Sequence, residues 1–227
     1  MLKANIQQVR ERIERACARS GRSSADVTLI AVSKNQPLAK LLEAVEAGIA
    51  DLGENRVQEA QQKFPHLPPG VRRHMIGHLQ RNKARFVGEL FDWVHSVDSL
   101  ALAQTLGRRL RALGKQVDCL VQVNVSGEAS KYGVVPEAAP ELVAQVGQIE
   151  GIRVRGLMTI APLGADEREL RRVFGGLREL AERIAALRLP GVEMRHLSMG
   201  MSGDFEIAIE EGATMVRVGS ALFGPRS

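Results

Sequence analysis

Val27-Thr28-Leu29-Ile30-Ala31-Val32-Ser33-Lys34-Asn35-Gln36-Pro37-Leu38 is an apolar, β-branched run that ends in a lysine and passes at once into a helix opening. A continuous apolar run bounded by a polar turn and a proline-led helix start reads as a strand buried on both faces. It is the first half of a strand–helix unit, the building block of an α/β fold. A primary amine at the carboxyl end of such a strand, facing the first turn of a helix, is a place where a carbonyl cofactor can be captured as a Schiff base. Taken alone, Lys34 reads equally as a solvated loop residue or a plain phosphate contact.

The same unit recurs along the chain. Strands are expected at 27–33, 49–53, 73–77, 93–97, 117–125, 152–159, 193–199 and 214–219, with helical periodicity between them. The clearest helix runs from Glu167 to Leu187, with Leu170, Val173, Phe174, Leu177, Leu180, Ile184 and Leu187 on one stripe. Another starts at Asp98 as N-cap, carries Leu102, Leu106, Leu110 and Leu113, and stops at Gly114. A first helix over residues 1–20, with Leu2, Ile6, Val9, Ile13 and Cys17 on one face, is expected to pack on the outside. Eight strand–helix units in 227 residues suit a single-domain (β/α)8 TIM barrel spanning 1–227 with an additional N-terminal helix. Periodicity does not show closure, so an open doubly wound sheet stays an alternative. It is the weaker one, because no Gly-x-Gly-x-x-Gly follows the first strand.

Composition narrows the function. With 44% hydrophobic residues the chain can bury a core of its own, and the net charge of +5 arises from basic and acidic residues interspersed along it. That distribution, with 4% aromatics, argues against a nucleic-acid surface and suits weak attraction of phosphorylated ligands. Cys17 and Cys119 stand far apart, so no disulfide framework and no metal-ligand spacing follows. No apolar segment approaches spanning length, and the N-terminus lacks an apolar leader, which points to a cytoplasmic protein with no membrane partner.

In a barrel the reactive groups belong at the carboxyl ends of the strands. Polar clusters fall there: Gly53-Glu54-Asn55-Arg56, Gly77-His78-Leu79-Gln80, Ser96-Val97-Asp98-Ser99 and Asn124-Val125-Ser126-Gly127-Glu128. Each is weak alone, since loops are polar by default, Asp98 or Ser99 reads as a helix cap, and His78 reads equally as a structural imidazole. The last two strands say more. Ser198-Met199-Gly200-Met201-Ser202-Gly203-Asp204 and Arg217-Val218-Gly219-Ser220 offer small residues and helix starts, which let backbone N–H groups reach an anion. A phosphate site after strands seven and eight recurs in barrels. A strand-end lysine and a phosphate cradle on one rim fit a single molecule carrying an aldehyde and a phosphate, pyridoxal 5′-phosphate (PLP).

The segments Ala31-Val32-Ser33-Lys34, Gly53-Glu54-Asn55-Arg56-Val57-Gln58-Glu59, Ile76-Gly77-His78-Leu79-Gln80-Arg81-Asn82-Lys83, His95-Ser96-Val97-Asp98-Ser99 and Val121 to Glu128 together resemble the pyridoxal phosphate homeostasis protein family. Gly156-Leu157-Met158, Leu197 to Ser202 and Val216 to Gly224 continue the likeness, in order, over nearly the whole chain. The resemblance implies a barrel like the N-terminal domain of alanine racemase, with PLP held covalently as a Schiff base on Lys34. It implies phosphate contacts from Ser198, Gly200, Ser202, Gly219 and Ser220, Met201 lining the same turn, Asn55 beside the ring, and Arg217 facing the pyridine nitrogen. A guanidinium there disfavours protonation of the ring and weakens it as an electron sink. The implied role is PLP (vitamin B6) homeostasis, buffering the cofactor or delivering it to PLP-dependent apoenzymes, with no established catalytic turnover and no metal. The alternative is a PLP-dependent amino-acid racemase or related Schiff-base enzyme, which needs a second acid/base. Fold relatives of that kind supply a tyrosine from an added β domain, which is not expected here. Its absence points to a monomer, and the single tyrosine, Tyr132, is not expected to serve as that base. Further cofactor attachment would fall on the lysines expected to be exposed, Lys63, Lys83 and Lys131.

Overall fold

The computed structural model describes residues 1–128 and 132–224. In chain order the elements are α1 (Leu2–Arg19), β1 (Thr28–Val32), α2 (Leu38–Glu46), β2 (Asp51–Glu54), α3 (Val57–Lys63), β3 (Arg72–Met75), α4 (Val87–Leu90), β4 (Trp93–Val97), α5 (Leu100–Leu113), β5 (Val117–Gln122), α6 (Ala139–Gly147), β6 (Ile152–Met158), α7 (Glu167–Ala186), β7 (Val192–Ser198), α8 (Phe205–Glu210), β8 (Met215–Val218) and α9 (Ser220–Phe223). The eight strands are parallel and pair in sequence order into a closed barrel, β1 meeting β8 with Thr28 opposite Met215 and Ala31 opposite Val218. Closure decides between the two readings of the periodicity: this is a (β/α)8 barrel, not an open sheet.

Two apolar layers hold it. Ile30, Leu120, Met158 and Met215 fill the barrel with Trp93 and Ile160 beside them, while the outward faces of the strands meet the helices in one continuous core. The α7 stripe shows why the helix lies where it does: Leu170, Val173, Phe174, Leu177, Leu180 and Ile184 are all buried. Burying one such side chain stabilises by about 1.5–3 kcal/mol. Leu187, expected on that stripe, is instead the helix C-cap and is exposed, because the helix ends one residue before it. Gly156 marks a close approach: a Cβ there would lie 1.8 Å from the carbonyl oxygen of His196, at a φ of 152°. Only glycine lets β6 and β7 meet at this point.

At two boundaries the difference from expectation has a clear local reason. The N-cap of α5 is Ser99, not Asp98: Ser99 is extended and its Oγ accepts from Leu102 N–H at 3.4 Å. Asp98 turns its carboxylate toward His78 Nδ1, 3.5 Å away. β5 stops at Gln122, not Val125, because Asn124 folds the chain over itself. Its Oδ1 accepts from Gly127 N–H and Ser126 Oγ–H, both at 3.1 Å, and its Nδ2 donates to Glu128 O at 2.8 Å, the local competition with strand pairing that asparagine offers.

α1 packs against α8 and α9, the helices that follow the last two strands. Asn5 Nδ2 donates to Leu222 O at 2.8 Å, Arg12 pairs with Glu206 and Arg19 with Glu210, so the N-terminal helix braces the turns at the end of the barrel. No helix among the described residues is long and apolar enough to cross a membrane.

Candidate functional site

Lys34 follows β1 at the C-terminal mouth of the barrel and is half-buried. Its two neighbours are pinned. Ser33, fully buried, donates its hydroxyl to Glu54 Oε2 at 2.6 Å, and its carbonyl accepts from Lys63 Nζ at 3.0 Å. Asn35 stands at a φ of 59°, an uncommon conformation for a residue with a side chain, and its N–H donates to Glu59 Oε2 at 2.9 Å. Lys63 Nζ joins both carboxylates, 3.0 Å from Glu54 Oε2 and 2.8 Å from Glu59 Oε2. Lys63 is therefore buried and committed, which corrects its expected place on the surface: the buried Glu54 draws the ammonium inward, with Glu59 one turn back on α3 as its second partner. Lys83 is half-buried, and Lys131 lies outside the described residues.

The turn after β7 is built on Gly200 and Asp204. Gly200 has a φ of 93°, and a Cβ there would lie 2.7 Å from Ala208 Cβ and 2.9 Å from Phe205 Cα. Met201 N–H donates to Asp204 Oδ1 at 2.5 Å, which ties the turn shut. Burial raises the Asp204 carboxyl, while the Met201 N–H and the charge of Arg217 pull it down. Ser202 bridges to the next strand end: its Oγ accepts from Gly219 N–H at 3.2 Å and from Ala221 N–H at 3.3 Å. Gly219 lies beside the end of β1, 3.4 Å from Val32 Cβ to where its own Cβ would be, and Ser220 is exposed at the same place. Gly200, Met201, Ser202, Gly219 and Ser220 thus gather into one turn pair next to the strand that carries Lys34.

Arg217 and Ser198 sit deeper. Arg217 is 4% exposed; its Nη1 donates to Ser198 Oγ at 2.6 Å and its Nη2 to Thr159 O at 2.9 Å. Burial pulls the guanidinium down to about 10, the Asp204 carboxylate working the other way, so it remains a cation at neutral pH. Among the described residues no carboxylate lies within ion-pair distance of it. The Ser198 hydroxyl, fully buried, is taken up by Arg217 and by His95 Nδ1 at 2.8 Å. It serves Arg217 inside the barrel, while the turn pair lies further along the chain.

Asn55 faces a neighbouring depression of about 790 Å³ after β2 and β3, lined also by Arg56, His78, Gln80, Lys83 and Tyr132. His78 and Tyr132 stack there, ring centroids 3.8 Å apart. No bond links Asn55 to the Arg217 set among the described residues.

Behind Ser198, sequence reasoning missed a set of buried polar residues. His95 Nε2 meets His74 Nδ1 at 2.9 Å, His74 Nε2 meets Asp51 Oδ1 at 2.9 Å, and Arg72 grips both oxygens of Asp51 at 2.6 Å. Burial holds both imidazoles below their ordinary value, His95 the more strongly. Asp51 is held low despite its burial, by the bonds from Arg72 and His74. A signal was available: ionisable residues standing inside otherwise apolar parallel strands are rarely buried without a partner.

Residues 2–227 match the family model described as the alanine racemase N-terminal domain. The pyridoxal phosphate homeostasis protein of Pseudomonas aeruginosa is 47% identical over 225 residues, 98% of this chain and 94% of that protein. The protein of that name from Escherichia coli strain K12 is 42% identical over 98% of this chain and 95% of its own length. Among solved structures, PipY of Synechococcus elongatus with PLP bound superposes with a TM-score of 0.83 at 41% identity, covering 94% of this chain and 100% of that one.

Proposed function

The chain belongs to the alanine racemase N-terminal domain family and, within it, to the pyridoxal phosphate homeostasis proteins, and on that premise we propose that it binds PLP at the barrel mouth and takes part in the homeostasis of that cofactor. The observation that carries the proposal is the buried guanidinium of Arg217, with no carboxylate in ion-pair distance among the described residues, beside a turn pair in which the N–H groups of Gly219 and Ala221 share a single acceptor, Ser202 Oγ.

The residues suit the group. The N–H groups of Gly219 and Ala221 converge on Ser202 Oγ at the long end of the hydrogen-bond range, where a phosphate oxygen would accept them more strongly. Gly200 keeps the space that a Cβ would close. A guanidinium has five N–H donors, so Arg217 can hold Ser198 and Thr159 and still face a ring nitrogen. Lys34 would be the point of covalent attachment, with Gly200, Met201, Ser202, Gly219 and Ser220 holding the phosphate and Asn55 beside the ring. Ser198 contributes through Arg217. When bound, the group supplies an electrophilic aldehyde and a conjugated ring that can withdraw electrons. Arg217, a cation at neutral pH, would face the ring nitrogen and disfavour its protonation. The Lys63–Glu54–Glu59 cluster fixes the backbone on either side of Lys34.

This arrangement suits a tether. In our reading residues 1–227 form one cofactor-binding domain, a cytoplasmic monomer that buffers PLP or passes it to apoenzymes, with no turnover of its own. One observation favours a second reading, a Schiff-base enzyme acting on amino acids: Tyr132 stacks on His78 in the depression that Asn55 also lines. Titration with PLP followed by absorbance, and chiral analysis after incubation with L-amino acids, separates the two. The tether predicts a stoichiometric spectral change that Lys34→Ala abolishes, with no D-isomer formed. Repeated turnover that Tyr132→Phe removes would replace it with the enzyme.

A further inference from the structure

Asp51, His74, His95, Ser198 and Arg217 form an unbroken file of hydrogen bonds through the barrel, from Arg72 at the start of β3 to the mouth. Every member is less than a tenth exposed, and the two histidines and Ser198 are fully buried. The file has one consistent proton order when both imidazoles are neutral. Ionised Asp51 only accepts, so His74 carries its proton on Nε2. His74 Nδ1 is then an acceptor, and His95 must carry its proton on Nε2. His95 Nδ1 is an acceptor in turn, so the Ser198 hydroxyl donates to it and leaves its lone pairs for Arg217. All donors point toward Asp51, and bonds aligned in this way strengthen one another.

We propose that Asp51, His74 and His95 are positioning residues for the cofactor ring: through Ser198 they hold Arg217 in one orientation, and uptake of a proton by either histidine releases it. The inference rests on the reading that Arg217 faces the ring. An imidazolium has no acceptor nitrogen, so charging His95 turns an N–H on the Ser198 oxygen, and charging His74 turns one on His95 Nε2–H. The groups around them favour the neutral state. His74 faces Asp51, Arg72, Asp92 and His95 and stacks on Trp93; His95 faces His74, Arg217 and His196. Of these only Asp51 and Asp92 favour charge on His74, and burial outweighs them.

The test uses the full chain in two states. In the cofactor-free protein, long-range proton–nitrogen correlation spectra should show both histidines as neutral Nε2–H tautomers at pH 7. An Nδ1–H tautomer or an imidazolium at either position would overturn the file. With PLP bound, loss of cofactor to a trap should accelerate only as the pH falls beneath the ordinary histidine range, because burial holds both imidazoles low. His95→Gln, whose amide offers an acceptor and a donor but does not titrate, should keep the cofactor and remove the part of that profile that His95 contributes, leaving only the part from His74. His95→Leu should shift the absorption maximum and release the cofactor roughly tenfold faster at every pH, the scale of one hydrogen bond to a charged group. A folded His95→Leu protein with the parent's absorption maximum, release rate and pH profile would refute the proposal. If His95→Leu does not fold, the tautomers and the His95→Gln profile decide. Failure of the parent protein to take up PLP would overturn the function reading alone, since the tautomers are read without it.

Discussion

Lys34 follows the end of β1 and Lys63 ends α3, yet both amines lie near Ser33, and their surroundings give them opposite tasks. Lys63 Nζ is held by two carboxylates and a carbonyl in the barrel wall, where it neutralises Glu54, a fully buried acid. Burial pushes the Glu54 carboxyl up, against the pull of Ser33 and Lys63. Lys63→Met should therefore destabilise the fold by roughly 3–5 kcal/mol at neutral pH, the cost of an uncompensated buried charge. The sign of its pH dependence follows: without the ammonium the Glu54 pKa rises further, so the loss shrinks as pH falls and Glu54 protonates, and grows as pH rises. Urea denaturation at pH 5 and pH 8 measures this, and a loss equal at both values would mean that Glu54 is not the group left uncompensated. The Glu59–Lys63 spacing was legible in the sequence. The burial was not, because it depends on how α3 folds back against Glu54 at the end of β2.

At the scale of the element, the turn between β7 and α8 carries most of the proposed phosphate contacts. Its small residues were legible as a cradle, since only they let backbone N–H groups converge. Asp204 ends that run of sequence, yet its task, closing the turn through Met201 N–H, depends on a fold-back that spacing does not reveal. Gly200→Ala should force Ala208 and Phe205 apart at a φ that disfavours a side chain, destabilising by about 1–3 kcal/mol and weakening PLP binding. Thermal melting together with cofactor titration checks it. Unchanged affinity in the folded variant would remove this turn from the site.

Across the whole molecule, alternation of apolar runs and helical stripes made all eight strands legible, because a parallel strand buried on both faces announces itself by composition. Closure was not legible: it is a statement about β1 meeting β8, and nothing local encodes it. The file from Asp51 to Arg217 was hidden for the same reason, since its members come from β2, β3, β4, β7 and β8 and meet only when the barrel closes. Their presence inside a core otherwise filled by Ile30, Leu120, Met158 and Met215 ties the opposite end of the barrel to the mouth. Lys34 is the proposed tether at that mouth. Incubating the protein with PLP, reducing with borohydride and mapping the peptides by mass spectrometry tests it most directly. One stoichiometric adduct on Lys34, absent in Lys34→Ala, is the predicted result; an adduct that persists elsewhere at full stoichiometry in Lys34→Ala, or none in the parent protein, would contradict it.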